Sequence, residues 1–353
     1  MTRDSVFIPD HPSQFSTEWL ASKLNQPAEK LNGFTFEPVG TGQVGDSYRL
    51  HLDWNMAGDL PPSLVVKCPA ADPTSRQTGA NMHLYEIETR WYQTLANASG
   101  VRVPHIYFAD IAENMTDFVL LMADCAPASQ LDQMAGANSA QVRLALDEAA
   151  RLHKARWNDA GLGDIAWLNY SAQNAEMVKA ALPVIYPEFR ERYAQRLSAD
   201  ILDMGAAFIA GYEKYTEARE TPLVLQHGDF RVDNMLFHGQ DRPFILDWQT
   251  LSAGQPMVDV AYCISTSFAD AESRRAHEQN LVRAYLQALG PVAAGYDFDA
   301  AWQDYRRAAF AGFLVALFSA MVVERTERGD EMFAVMAERS GWQVLDLDSL
   351  AAL

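Results

Sequence analysis

Eight consecutive residues, His227-Gly228-Asp229-Phe230-Arg231-Val232-Asp233-Asn234, and a further aspartate, Asp247, thirteen positions after the asparagine, carry the densest chemistry in the sequence. One aspartate can orient a hydroxyl and accept its proton, while an asparagine and a second aspartate can hold the divalent cations that bridge phosphate oxygens. Oxygen ligands suit Mg²⁺, and one or two carboxylates are enough because phosphates and water complete its shell. The pattern implies phosphoryl transfer. Asp, Asn and Gly also populate turns for conformational reasons alone, but a bare turn does not require His, Asp, Asn and a second Asp at these offsets. Arg231, two residues after the candidate base, could bind phosphate oxygens in bidentate fashion and stabilise charge on the transferring group. A local ion pair or loop cap with Asp233 is the alternative for that arginine.

The loop H-G-D-x4-N, with its later aspartate, resembles the aminoglycoside phosphotransferase and choline kinase superfamily. It is most similar to the branch of ecdysteroid-kinase-like proteins and of kinase domains associated with acyl-CoA dehydrogenases, which share HGDFRxDNxxF and a DWQ or DWE motif. The resemblance covers residues 35 to 325 or so and implies an α+β, protein-kinase-like two-lobe fold acting with ATP and Mg²⁺. It implies Asp229 as catalytic base, Asn234 and Asp247 as metal ligands, and His227 as a structural residue that fixes the loop. Asp259, in GQPMVDVAY, would begin a helix and support the loop from below. The segment Phe118 to Asp124 resembles the family's hinge, where backbone groups near Met122 to Asp124 would hydrogen-bond adenine. Many relatives are acidic where this chain has Ala123, which leaves the hinge register open.

A kinase also needs a phosphate-covering loop, a strand lysine and a helical glutamate paired with it. Gly40, Gly42 and Gly45 form a GxGxxG pattern, which on its own fits a kinase loop, a dinucleotide-binding turn or a plain hairpin. A dinucleotide fingerprint would open a helix. Here Ser47 to Leu52 alternates like a returning strand, which favours the kinase loop. Lys67 closes the apolar run Leu64-Val65-Val66, the arrangement that reaches the α- and β-phosphates of ATP. Of its two candidate partners, Glu88 lies on the inward stripe of a helix with Leu84 and Trp91, whereas Glu86 points largely away; a solvated helix face is the alternative for either. An exposed strand-end lysine remains the alternative for Lys67.

These residues need a small antiparallel sheet with one helix over residues 1–123, followed by a larger, mostly helical lobe over 124–353, the boundary falling within Ala123 to Pro127. Strands are expected across Phe34 to Lys67, Val103 to Ala109 and Phe118 to Met122, with a helix over Asn81 to Asn97. Helices are expected over 140–157, 172–182, 188–219, 257–289 and 298–325. His153 is expected to be a packed helical histidine.

The chain has 353 residues, 49% hydrophobic and 21% charged, long enough for two cores and ordered throughout in composition. A net charge of −18 without clustered Lys and Arg argues against a nucleic-acid partner. Three scattered cysteines and an opening segment without a basic region and apolar core suit a reducing cytoplasm. The apolar stretch Ala308 to Val323 is short for a bilayer and closely flanked by charges, so a buried helix is expected and no membrane span.

The acceptor would be set by helices over 157–222 and 268–340. Trp157, Trp167, Tyr170, Tyr186, Phe189 and Tyr193 in these regions are consistent with an apolar or ring-shaped acceptor, and equally with ordinary helix packing. A hydroxylated lipid, steroid or hydroxyacyl compound fits the most similar branch better than an aminoglycoside. A nucleotide-binding scaffold without turnover and a dinucleotide-dependent oxidoreductase are the rival readings.

Overall fold

A computed structural model describes residues 8–40, 44–55, 60–323 and 325–353, with side chains at 171–174 left aside. It divides into two compact units that are discontinuous in sequence. Unit 1 comprises residues up to 97, 103–127 and the short return 247–250. Unit 2 comprises 98–102, 128–246 and 251–353.

Unit 1 is built on a five-stranded antiparallel sheet in the order β1-β2-β3-β5-β4. Its strands are β1 (Leu31–Val39), β2 (Gly45–Trp54), β3 (Ser63–Pro69), β4 (Ile106–Ile111) and β5 (Phe118–Ala123). Alternation does the positioning. Leu64, Val66 and Cys68 of β3 are fully buried, in a core with Leu20, Leu50, Leu52, Val119 and Leu121. Each such apolar side chain stabilises the unit by roughly 1.5–3 kcal/mol. The period of two then turns Lys67 to the opposite face. The helix Leu84–Arg90 continues through a π turn at Trp91–Leu95, with Tyr85, Ile87 and Trp91 among its buried residues. An additional helix, Pro73–Asn81, precedes it, with Asp72 as N-cap accepting from the amide of Ser75 and Pro73 in its first turn.

Unit 2 is mostly helical. Two small two-stranded sheets frame the loop 227–234: β6 (Val224–Gln226) pairs with β9 (Ser252–Gly254), and β7 (Met235–Leu236) pairs with β8 (Phe244–Ile245). The helix Ser139–Ala155 buries Ala145, Ala149 and Leu152, and in Pro256–Ser267 almost every residue is buried.

The helix boundaries differ from the sequence expectation in instructive ways. Tyr170–Tyr193 runs through Pro183 and Pro187, where a break was expected. The expected helix 188–219 divides at Ser198, which caps Ala199–Ala210, and 257–289 divides at Asp270, which caps Ala271–Leu289. A long helix, Glu327–Asp346, lies beyond all those expected. The stretch Phe298–Val322 has the length and composition of a membrane span, but 61% of its most apolar window is buried in the protein. Its apolar face is core: Phe310, Phe313 and Leu317 are buried. A Cβ at Gly312 would lie 2.2 Å from Ser340 Oγ, so glycine is what lets Phe310–Val322 approach Glu327–Asp346 so closely.

Candidate active site

In unit 2 the chain leaves β6 at Gln226 and turns at Gly228, whose φ of 84° lies in the left-handed region that glycine alone adopts freely. The turn is held from beneath. The fully buried Asp259, in the first turn of Pro256–Ser267, accepts the amides of His227 at 2.7 Å and Gly228 at 2.9 Å. His153, also fully buried, contacts the same carboxylate at 3.2 Å through Nε2 and Tyr285 Oη at 2.7 Å through Nδ1. His153 is therefore packed, as expected, and also a hydrogen-bonded prop of the loop. His227 Nε2 lies 3.0 Å from the carbonyl of Leu246, which can only accept, so the ring proton sits on Nε2. Nδ1 is then left to accept the amide of Asp229 at 3.3 Å.

Asp229 presents its carboxylate to three donors. Oδ1 accepts from Arg231 Nε at 3.0 Å and Tyr262 Oη at 2.8 Å, and Oδ2 accepts from Asn234 Nδ2 at 2.7 Å. Burial acts to raise the Asp229 pKa, but Arg231, Tyr262, His227 and Asn234 outweigh it and hold the carboxyl below its ordinary value. The group is ionised at neutral pH, as a proton acceptor must be. Asn234 Nδ2 also donates to the Asp229 carbonyl at 2.9 Å. Both acceptors require the amino end of that amide, so the oxygen is the end left to meet a cation.

Arg231 is engaged on several sides. Besides Asp229, its Nη1 donates to Asp233 Oδ2 at 2.8 Å and Gln133 Oε1 at 3.0 Å, and it lies 3.7 Å from Met332 Sδ. The local ion pair foreseen as the alternative is thus formed in this structure. Arg339, on the same helix as Met332, donates to the carbonyls of Gln133, Met134 and Thr266 and fixes the segment that carries Gln133.

In unit 1, Lys67 Nζ forms ion pairs with Glu88 Oε2 at 2.7 Å and Asp247 Oδ1 at 2.9 Å. Burial acts to lower the Lys67 pKa, yet the two carboxylates prevail and raise it. Glu88 is buried, and its pKa is raised by burial against the pull of Lys67. Its second oxygen accepts the amide of Trp248 at 3.3 Å. Trp248 in turn stacks on Trp91 with ring centroids 3.9 Å apart. Asp247 has a φ of 61°, a strained conformation for a non-glycine residue of the kind that clusters at functional sites. Glu88 is the partner of Lys67, as its helical stripe implied. Glu86 points away from Lys67, as expected, and lies beside His83 and Arg90, buried nonetheless.

The remaining candidates belong to unit 1. Gly40 follows β1, Gly45 opens β2, and Gly42 lies outside the described residues. Tyr85 Oη donates to the Val44 carbonyl at 2.5 Å and so anchors the end of that loop to the helix. At the hinge, Met122 pairs across β5 with Val65, and the amide of Ala123 donates to His105 at 2.8 Å. The Asp124 side chain accepts from Arg49 at 2.8 Å and Ser63 at 2.9 Å, bracing β2 and β3.

A model of the phosphotransferase enzyme family matches residues 63–310, more than two thirds of the sequence. The chain belongs to that family. Among solved structures, this phosphotransferase is similar to ethanolamine kinase of Plasmodium vivax (TM-score 0.53, 12% identity, covering 91% of this chain and 83% of the other). It is also similar to an ADP-bound aminoglycoside phosphotransferase (TM-score 0.50, 16% identity, covering 93% of this chain and 97% of the other). These likenesses establish a kinase-like α+β fold. Among curated proteins it matches mouse acyl-CoA dehydrogenase family member 10, 44% identical over 46 residues. That stretch is 12% of this phosphotransferase and only 4% of the mouse protein.

Tyr262, Gln133 and Met332 were not singled out by motif. A signal for Tyr262 existed, since it lies three residues after Asp259 on a helix and so shares its face. Gln133 and Met332 reach the loop only through tertiary contacts.

Lys67→Met in this phosphotransferase is expected to leave a buried carboxylate without its cation. A loss of about 1–3 kcal/mol of stability, read by urea denaturation, should follow. An unchanged midpoint would count against a structural role for the ion pair.

Proposed function

We propose that this chain transfers the γ-phosphoryl group of ATP, with Mg²⁺, to a hydroxyl of a small molecule. The observation that carries this reading is the cluster around Asp229: an ionised carboxylate held by Arg231, Tyr262 and Asn234 on a loop braced by Asp259. Asp229 would take the acceptor's proton as the hydroxyl oxygen attacks, so most of the rate comes from positioning and charge stabilisation. The oxygen of Asn234 and the carboxylate of Asp247 are hard oxygen donors of the kind Mg²⁺ prefers. When bound, the cation neutralises charge on the phosphate oxygens. Lys67, oriented by Glu88, would contact the α- and β-phosphates, beneath the loop of Gly40, Gly42 and Gly45. Adenine would meet the backbone near Met122 and Asp124. Arg231 would share its guanidinium with the transferring phosphoryl group. The ADP-bound relative and a GDP-bound one both support a purine nucleotide.

For the acceptor, we favour a hydroxylated lipid, steroid or hydroxyacyl compound over an aminoglycoside. A polycationic sugar needs unpaired carboxylates, whereas Asp229 and Asp233 are both paired with Arg231. The short match to an acyl-CoA dehydrogenase family protein points the same way.

Calorimetry with MgATP followed by an ATP-consumption screen over hydroxylated acids, acyl-CoA thioesters, sterols and aminoglycosides tests the proposal. Binding with turnover on one of these classes is the expected result; binding with no transfer to any hydroxyl would favour a nucleotide-binding scaffold. Asp247→Ala should weaken Mg²⁺-dependent nucleotide binding by about tenfold or more, equal to about 1.4 kcal/mol. Unchanged metal dependence would remove Asp247 from the role of ligand.

A further inference from the structure

We propose that Tyr262 is a positioning residue for phosphoryl transfer, its hydroxyl turning the Asp229 carboxylate so that Oδ2 is the atom that meets the acceptor hydroxyl. This inference rests on Asp229 being the base, as proposed above. A carboxylate offers about four lone-pair directions, two on each oxygen. Oδ1 has both filled, by Arg231 Nε at 3.0 Å and Tyr262 Oη at 2.8 Å. Oδ2 has one filled, by Asn234 Nδ2 at 2.7 Å, and keeps one for a further donor.

The three donors differ in how firmly they are held. Arg231 divides its guanidinium among Asp229, Asp233 and Gln133. Tyr262 is 1% exposed on the densely buried helix Pro256–Ser267, and its hydroxyl is directed at Asp229. The same helix carries Asp259 one turn earlier, which holds the amides of His227 and Gly228. One rigid element thus fixes both the backbone leading into Asp229 and one oxygen of its carboxylate. Burial, and then the Asp229 charge, push the Tyr262 phenol well above its ordinary pKa, so it remains a donor across the working range.

In the step this serves, the acceptor oxygen bonds to the γ-phosphorus, and the bond from that phosphorus to the β,γ-bridging oxygen breaks. The electron pair leaves on ADP, and the acceptor proton passes to Asp229 Oδ2. Without the Tyr262 donor, Oδ1 has an open direction of its own and the carboxylate is held only by Arg231 and Asn234, so the productive orientation is populated less often.

The test compares Tyr262→Phe, which keeps the ring and loses the donor, with replacement of Tyr262 by p-aminophenylalanine, which keeps both. Transfer from radiolabelled MgATP is followed to water and to each alcohol of the screen above, alongside the thermal midpoint. Tyr262→Phe should lower kcat about ten- to a hundredfold, part of the range general-base catalysis spans. KM for MgATP should stay within about twofold, and p-aminophenylalanine should restore most of kcat. Wild-type kcat in Tyr262→Phe overturns the inference and leaves the proposed function standing. So does an equal fall in both variants, or an effect confined to KM. Wild-type protein that transfers phosphate to neither water nor any alcohol overturns the proposed function, and the inference with it.

Discussion

Asp229→Asn is expected to lower kcat by about 10²–10⁴-fold while leaving MgATP affinity close to wild type, the span that a positioned general base contributes. The amide is nearly isosteric with the carboxylate, so Tyr262 and Arg231 can still donate to its oxygen, and Asn234 keeps its bond to the carbonyl of residue 229 while losing the one to Oδ2. What is lost is the ability to take a proton. Single-turnover kinetics with calorimetric titration of MgATP separate the two quantities, and wild-type turnover in this variant would remove Asp229 from the role of base. The same reasoning fixes the acid side of the pH profile. The Asp229 pKa is depressed in the folded protein, so the base is ionised above its ordinary value of about 3.9 and is lost only as pH falls through the lower folded value. Turnover should therefore persist to about pH 4 unless the fold fails first, and an acid limb near neutrality would contradict the assignment.

Asp259→Ala should have the second large effect, on stability. The carboxylate is fully buried and satisfies the amides of His227 and Gly228 together with His153 Nε2. Its removal leaves these donors unpaired in a dry interior and opens a cavity beneath the loop. A loss of about 3–5 kcal/mol is expected, as for breaking a buried ionic network. Urea denaturation of unit 2 reports it, and turnover should fall with it because the backbone of the loop loses its two anchors. A change under about 1 kcal/mol would mean that water or a relaxed backbone replaces the carboxylate.

Much of this was legible in the sequence because the chemistry is local. The loop 227–234, Asp247 and the Lys67–Glu88 pair follow from residue type and spacing, and the helical stripe distinguished Glu88 from Glu86. The burial of Glu86 was not legible, since burial of a carboxylate depends on what covers it and not on the period of its helix. A break was expected between 182 and 188, the stretch that holds Pro183 and Pro187, yet the helix runs through both. Its flanks pack Leu182, Tyr186 and Phe189 into the core, and that burial overrides a local preference. The helix Pro73–Asn81 carried a readable signal, Asp72 before Pro73, that its polar composition hid. Contacts such as Tyr262 with Asp229, or Arg231 with Gln133 98 residues away, need the fold before they can be seen.

The helix Glu327–Asp346 lies wholly beyond the residues 63–310 that match the family, yet it buries Phe333, Met336, Ala337 and Val344 and sends Arg339 to three backbone carbonyls of other segments. The segment that matches the family consequently ends before the packed body of unit 2 does. A chain ending before Glu327 would expose a greasy seam along Gly312 and Ile201 and release the strap that carries Gln133. Exchanging that last helix would reshape the neighbourhood of Arg231 without altering a single residue of the catalytic loop.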